Sequence, residues 1–494
     1  MDTIDPALGW RRLDRRMLLV HPVRELVRFL PGILLVVFFG RSAENPGLWG
    51  LAGIGVPVVL GLLRYVTTSY RITAGRVEVR QGLLTKRVLS APLDRVRTVD
   101  LTASPVHRLL GLVTVRIGTG EGGGQGEERL ALDGLAVPEA TALRGRLLQA
   151  SPSAAADPTG ADGPAGPDDG SDRRLVLTLD LRWVRFAPLT SSGLVIAGAA
   201  LGLASQSWHT FALDPSVDVH RFERLGVAVL VTLGVIAVLV VICLLAVAGY
   251  LVTNFGFRLW HTRRDGAWHL RRGLFTTRET SLDDARVSGV SIGEPLGLRL
   301  AGGARLSAIV TGLDKKQQGS AVLVPPAPRG EVDRVAVEVL GHRDPVYGDL
   351  VTHGVRARRR RWTRALLPAG LVALVALLAA YAVSWWFGLL ALLALAVGAG
   401  LAHDRWRSLG HALTDDHLVA RSGSLDRRRE ALHTPSVIGW NLRASFFQRR
   451  AGLTDLVATT AGGRQQVRVL DLDDAAAVGL AATATPGLLD QFLA

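Results

Sequence analysis

Arginine is the residue this chain repeats. "VRQGLLTKRVLSAPLDRV" at 79–96 returns as "LRRGLFTTRETSLDDARV" at 270–287, with eight of eighteen positions identical. A fainter third copy, "ARSGSLDRRREALHTPSV", stands at 420–437. Each copy gathers cations: Arg80, Lys86 and Arg87, then Arg271, Arg272 and Arg278, then Arg421, Arg427, Arg428 and Arg429. The chemistry such clusters offer is anion binding. Near an anionic leaflet each basic residue contributes roughly 1 kcal/mol, so three or four can hold a tethered domain against lipid. A solvated face, or an ion pair across a hairpin, explains the same residues more simply. Arg108, Arg299 and Arg449 also recur, just ahead of a strand, where stitching a loop is the expected role.

Other chemistries lack their residues. "GTGEGGGQG" (118–126) has no Gly-Lys-Ser/Thr ending and no helix pattern directly after it, so it reads as a strand connector rather than a phosphate loop. "RSGSL" (421–425) lacks the flanking glycine of a nucleophile elbow. His261 and His269, or His411 and His417, do not have metal-ligand spacing with carboxylate support. Cys243, the single cysteine, sits in an apolar run and has no disulfide partner in the chain. No catalytic, cofactor-binding or metal-binding residues are expected, and the expectation is a protein that is not an enzyme.

The elements that must position these cations alternate between lipid and water. The chain has 494 residues, 48% of them apolar, a mean hydropathy of +0.27 and a formal charge of +14. Apolar runs combined with excess base indicate an integral membrane protein. The surplus is nearly all arginine, as a GC-rich genome would produce, and is not read as a nucleic-acid footprint. A spanning helix needs roughly 20 mostly apolar residues. Six candidate runs fall into three hairpins: 29–40 with 48–63, 186–206 with 225–252, and 365–383 with 387–402. The open sides of the hairpins carry 28 arginines and the tips 3, which puts both termini and the large polar segments in the cytoplasm. Trp183, Trp208, Trp362, Trp385, Trp386 and Trp406 stand at run ends, where aromatic belts lie.

The polar segment after each hairpin reads as β followed by a helix. "RVEV" (76–79) and "GLVTVRIGT" (111–119) alternate apolar with polar, and helix candidates close the copies at 136–149, 329–341 and 473–481. Offsets of +191 and +341 keep six residues identical: Arg80, Gly82, Arg87, Val96, Arg108 and Gly111, with their counterparts in the later copies. The two glycines suit turns. The expected division is a basic lead-in (1–28), hairpin 29–63, domain 64–150, disordered linker 151–172, hairpin 173–252 with a basic lead-in, domain 253–342, basic linker 343–364, hairpin 365–402 and domain 403–494.

Paired apolar helices followed by "G-L-hydrophobic…R…R-V…R-L-x-G-L-x-x-V" resemble bacterial pleckstrin-homology (PH) domain membrane proteins of the YdbS/YdbT type, in their three-domain form. "RRMLLVHPVRELVRFLPG" and "APLTSSGLVIAG" add to the resemblance. The second copy departs from it, with "GEPLGLRLAGGARL" where the first has "ASPVHRLLGLVTV". The resemblance implies PH-like β-sandwiches or barrels, each capped by a C-terminal helix, with no catalytic activity, no cofactor and no fixed ligand. The combined expectation is a six-span scaffold of the bacterial inner (plasma) membrane with three cytoplasmic PH-like domains. Its partners would be membrane lipids, further copies of itself or another membrane protein, without nucleic acid, in envelope maintenance or stress tolerance. The alternative is a transporter or an accessory subunit of a transport or export complex. The spans carry no Asp or Glu in their cores, where a proton or ion pathway would usually need one.

Overall fold

A computed structural model describes residues 9–20, 22, 55, 58–59, 62–63, 65–73, 76–81, 87–92, 98–118, 130–149, 173–190, 227–263, 266–311, 321–414 and 416–488. The run 29–40, the linker 151–172 and the stretch 191–206 lie outside these residues.

The described chain forms two compact units, and the division passes through the second sequence copy. In the first unit, strands β1 (Arg11–Arg12), β2 (Ser69–Ile72), β3 (Arg76–Gln81) and β4 (Arg87–Pro92) form one antiparallel sheet in that order. Next come β5 (Thr98–Ala103), a short helix α1 (Pro105–Leu109), β6 (Leu112–Gly118), β7 (Leu130–Ala136) and the closing helix α2 (Val137–Gln149). The alternation in "RVEV" sends Val77 and Val79 inward, where they meet Val99, Leu112, Val115, Leu132 and Ala140 in one core. Each fully buried valine or leucine among them contributes roughly 1.5–3 kcal/mol. Strands β8 (Arg173–Thr178), β9 (Arg258–Thr262), β10 (Ala267–Arg272) and β11 (Thr277–Asp283) belong to this unit too. They complete a seven-stranded sheet ordered β7-β6-β5-β11-β10-β9-β8.

The second unit starts with a 3₁₀ segment, Leu181–Leu189, and helix α3 (Val227–Asn254). Trp183, Phe186 and Ala187 are buried in the 3₁₀ segment. The expected span 186–206 therefore does not begin at Phe186, and Trp183 is a core residue rather than part of an aromatic belt. A Cβ on Gly303 would come within 2.8 Å of the Phe186 ring. The unit continues with β12 (Val287–Pro295), α4 (Leu296–Leu300), β13 (Gly303–Val310), β14 (Val322–Pro328), α5 (Arg329–Leu340) and α6 (Asp344–Tyr347). Helices α7 (Gly354–Ala382) and α8 (Phe387–Arg407) follow. The third copy supplies β15 (Gly410–Leu413), β16 (His417–Ser422), β17 (Asp426–His433), β18 (Val437–Arg443), α9 (Phe446–Ala451), β19 (Leu453–Thr460), β20 (Gln466–Asp473) and α10 (Asp474–Ala484). One sheet is ordered β14-β13-β12-β17-β16-β15 and another β18-β19-β20. Leu418, Leu432, Leu456, Val469, Ala477 and Ala481 share the core of the third copy.

Among the described residues three helices are long and apolar enough to cross a membrane: Thr232–Asn254, Gly354–Ala382 and Phe387–Arg407. Helices α7 and α8 form a hairpin with a seam of small residues, since Ala373, Ala376 and Ala391 are buried while Leu371, Leu378 and Leu392 face outward. Close backbone approach is how helices pack where lipid supplies no hydrophobic drive. Trp385 and Trp386 stack at the hairpin tip, 4.1 Å between ring centroids.

The expected closing helices form over nearly the residues proposed. The second copy keeps its strand despite the altered wording, with β13 at Gly303–Val310. The short helices α1, α4 and α9 are not foreseen by the strand pattern. In α1 the Ser104 hydroxyl accepts from the His107 N–H and a proline follows at the first helical position, a standard helix start. Of the repeated valines, Val437 packs against the third-copy core, Val96 lies outside the described residues, and Val287 is only partly buried, beside a β-bulge, while Val290 and Ile292 are buried.

Candidate functional site

The feature shared by both units is a joint between sheets. In the first unit β5 of copy one pairs with β11 of copy two, with Val99 opposite Ser281, Leu101 opposite Glu279 and Ala103 opposite Thr277. In the second unit β12 of copy two pairs with β17 of copy three, with Val290 opposite Ala431, Ile292 opposite Arg429 and Glu294 opposite Arg427. Shifting copy-one positions by +191 and copy-two positions by +150 carries the first set of pairs onto the second. The two joints therefore have one register. Because side chains alternate with a period of two, a one-residue slip would turn the buried Leu101 and Ile292 to the opposite face.

Each joint is reinforced from its flanks. In the first, Arg144 of α2 pairs with Glu279, and Arg108 Nη1 donates to the Leu274 carbonyl at 2.9 Å. In the second, Glu294 is buried and accepts from Arg427 Nε at 2.5 Å while also pairing with Arg329. Leu296 N–H donates to the Leu425 carbonyl at 2.8 Å, so the contact extends from strand to short helix. A Cβ on Gly289 would meet the Ala431 carbonyl oxygen at 2.0 Å, which is why this position, at φ +153°, has no side chain.

Among the described residues the candidate cations stand in different settings, and in the third copy Arg421 and Arg429 are cross-strand neighbours. Arg80 lies over the Trp10 ring at 5.9 Å. Lys86 falls outside the described residues, and Arg87 opens β4 opposite Gln81. Arg271 is exposed on β10, opposite Glu279 and Arg258. Arg272 and Arg278 are cross-strand neighbours, and burial, then the charge of Arg278, lowers the Arg272 pKa. Arg421 donates from Nε to the Ser408 carbonyl and from Nη2 to the Arg407 carbonyl, both at 3.1 Å. It thereby satisfies carbonyls that the end of α8 leaves open. Arg429 donates to the carbonyls of Pro345 and Gly348, each at 2.9 Å, and burial pushes its pKa down to about 10. Arg428 pairs with Asp426 at 2.5 Å. Of the recurring loop arginines, Arg299 reaches Asp404 at 2.8 Å and Arg449 is exposed.

Two buried polar clusters were not marked by repetition. Asp471 is fully buried and pairs with Arg360 and, at 2.5 Å, with Arg361, both on α7, while Gln448 Nε2 donates to it at 2.9 Å. His353 Nδ1 donates to the Leu470 carbonyl at 2.7 Å, leaving Nε2 to accept from His411 Nδ1 at 2.9 Å. Burial lowers the pKa of both histidines, that of His411 to about 4. No group of three or more His, Cys, Asp or Glu side chains suited to a metal occurs among the described residues.

Antiparallel strands and a closing helix recur at both ends of the chain, and there the family profile for bacterial PH domains matches, over residues 25–151 and 366–482. The chain carries bacterial PH domains. The UPF0699 transmembrane protein YdbT of Bacillus subtilis (strain 168) is 20% identical over 334 residues, 64% of this chain and 66% of that protein. The chain thus covers just under two thirds of that relative. No solved structure matches. Between the two PH segments, the middle copy shares their offsets, their short helix and their closing helix.

Proposed function

We propose that this protein is a non-enzymatic, multi-pass membrane scaffold whose PH domains work by binding, through self-association, at a lipid surface or to another membrane protein, in upkeep of the cell envelope or stress tolerance. Three helical hairpins anchor it in the plasma membrane, and its termini and PH domains lie in the cytoplasm, where the arginine bias assigns them. One observation carries this reading. Twice along the chain, in one register, a PH sheet is extended by the sheet of the next copy. Main-chain pairing at an edge supplies affinity, and the facing side chains supply specificity. The third-copy arginines support the reading as well, because Arg421, Arg427, Arg428 and Arg429 are engaged within the chain and leave binding to the strand edges.

Cross-linking in the protein's own membranes, followed by purification of the full chain, tests this. The scaffold reading expects a stoichiometric companion, either a further copy, another membrane protein or a retained lipid. A bare single chain with no companion would overturn it. Solute flux in proteoliposomes of the purified chain would favour the transport alternative instead.

A further inference from the structure

Among the described residues the series of joints is unfinished at both ends. Copies one to two and two to three are joined by the first strand of the second sheet, β5 or β12, pairing with the last strand of the next copy's first sheet, β11 or β17. By position, β18 is the next donor in this series and β4 the unused acceptor. Among the described residues β18 pairs only with β19 and β4 only with β3.

The apolar residues at these edges match the vacancy. Leu101 and Ile292, one in each joint, are 8% and 2% exposed, whereas Leu442 at the equivalent position of β18 is 52% exposed. Its counterpart across the joint is Glu279 or Arg429 inside the chain, and would be Val88 on β4, itself 55% exposed. The joint that is missing thus sets apolar against apolar. The short helix that joins in at the existing contacts is also bare in copy three, where Phe446 and Phe447 are 63% and 75% exposed. Native proteins blunt exposed edges with charge, proline or cover. Here Ile438 and Leu442 leave β18 open to pairing.

We infer that β18 of one molecule pairs with β4 of a second copy, in the register of the internal joints, giving a head-to-tail assembly. This rests on the scaffold reading and names its partner. The register places Trp440 opposite Ser90, Asn441 opposite Leu89, Leu442 opposite Val88 and Arg443 opposite Arg87. The two patches differ, so the interface is heterologous, and such contacts close into rings or extend as filaments.

Cysteine trapping in full-length chains tests it, on a Cys243→Ser background so that no native thiol competes. One tagged copy carries Leu442→Cys and a differently tagged copy carries Val88→Cys. Directly opposed residues of an antiparallel pair stand about 4.5–5.5 Å apart between Cα atoms, within disulfide reach. Oxidation in membranes is expected to join unlike copies, to leave Leu442→Cys copies unjoined to one another, and to give a ladder when one chain carries both changes. Leu442→Lys should reduce the assembly to single chains, while a disulfide between Ile292→Cys and Arg429→Cys still forms and shows the fold intact. No cross-link between copies, or only an intrachain link in the double variant, would overturn the inference. If the cross-link fails while purified chains still hold another stoichiometric partner, this inference falls and the scaffold reading stands. Without any companion, both fall.

Discussion

Asp471 shows at the scale of one residue where the arginine surplus is used. It is fully buried, and Arg360 and Arg361 of a membrane-length helix converge on it. Removing one member of a buried ion cluster leaves uncompensated charge, at a cost of about 3–5 kcal/mol. Asp471→Ala should therefore lower the thermal unfolding midpoint of the detergent-solubilised chain by several degrees, and an unchanged midpoint would show that the cluster contributes little. Histidines set a pH limit of a similar kind. Burial lowers the pKa of His269 to about 3, and that of His411 and His417 to about 4. The unfolded chain takes up these protons near pH 6.5, while the folded one resists until about 4 or below. Their contribution is then complete above about pH 6.5 and lost as pH falls toward 4. Unfolding midpoints measured from pH 7 to 4 should fall, and His417→Phe should make that fall shallower. The arginines could be picked out in the sequence by repetition alone, but their roles could not. Arg421 becomes a helix-end donor only because the end of α8 folds back beside β16, and Asp471 has no counterpart at its repeat positions to draw attention to it.

At the scale of elements, alternation and offset made most of the β-structure readable. "RVEV", "GLVTVRIGT" and the three closing helices stand close to where their patterns put them. The joints were not readable, because strand pairing between copies leaves no local signature. Only the shared offset, applied once the pairs are known, shows that they follow one rule. The division of the chain into three separate domains likewise could not anticipate compact units that share out the second copy, since edge pairing ties its two sheets to different neighbours. Val96 and Val287 recur, yet Val96 lies outside the described residues and Val287 is partly buried. Gly289 is the element-scale test. A valine there would drive its Cβ into the Ala431 carbonyl, so Gly289→Val should abolish the disulfide that Ile292→Cys and Arg429→Cys otherwise form. Persistence of that disulfide at wild-type yield would mean β12 and β17 do not approach this closely.

For the whole molecule, the proposed scaffold has its PH domains on one side of the membrane. Reporter fusions at 41–47, 209–224 and 384–386 should read as external and a fusion within 151–172 as internal; a cytoplasmic signal at 209–224 would break the three-hairpin arrangement. In the proposed scaffold, strand edges rather than a cationic pocket do the binding. Hydrogen exchange on the full chain, kept in discs of its own membrane, tests this most directly. Amides of β18 and β4 should be protected to the same degree as those of β5 and β12, and Leu442→Lys should release that protection in both strands together. Exchange of β18 and β4 at the rate of an unpaired edge in the wild-type membrane would contradict it.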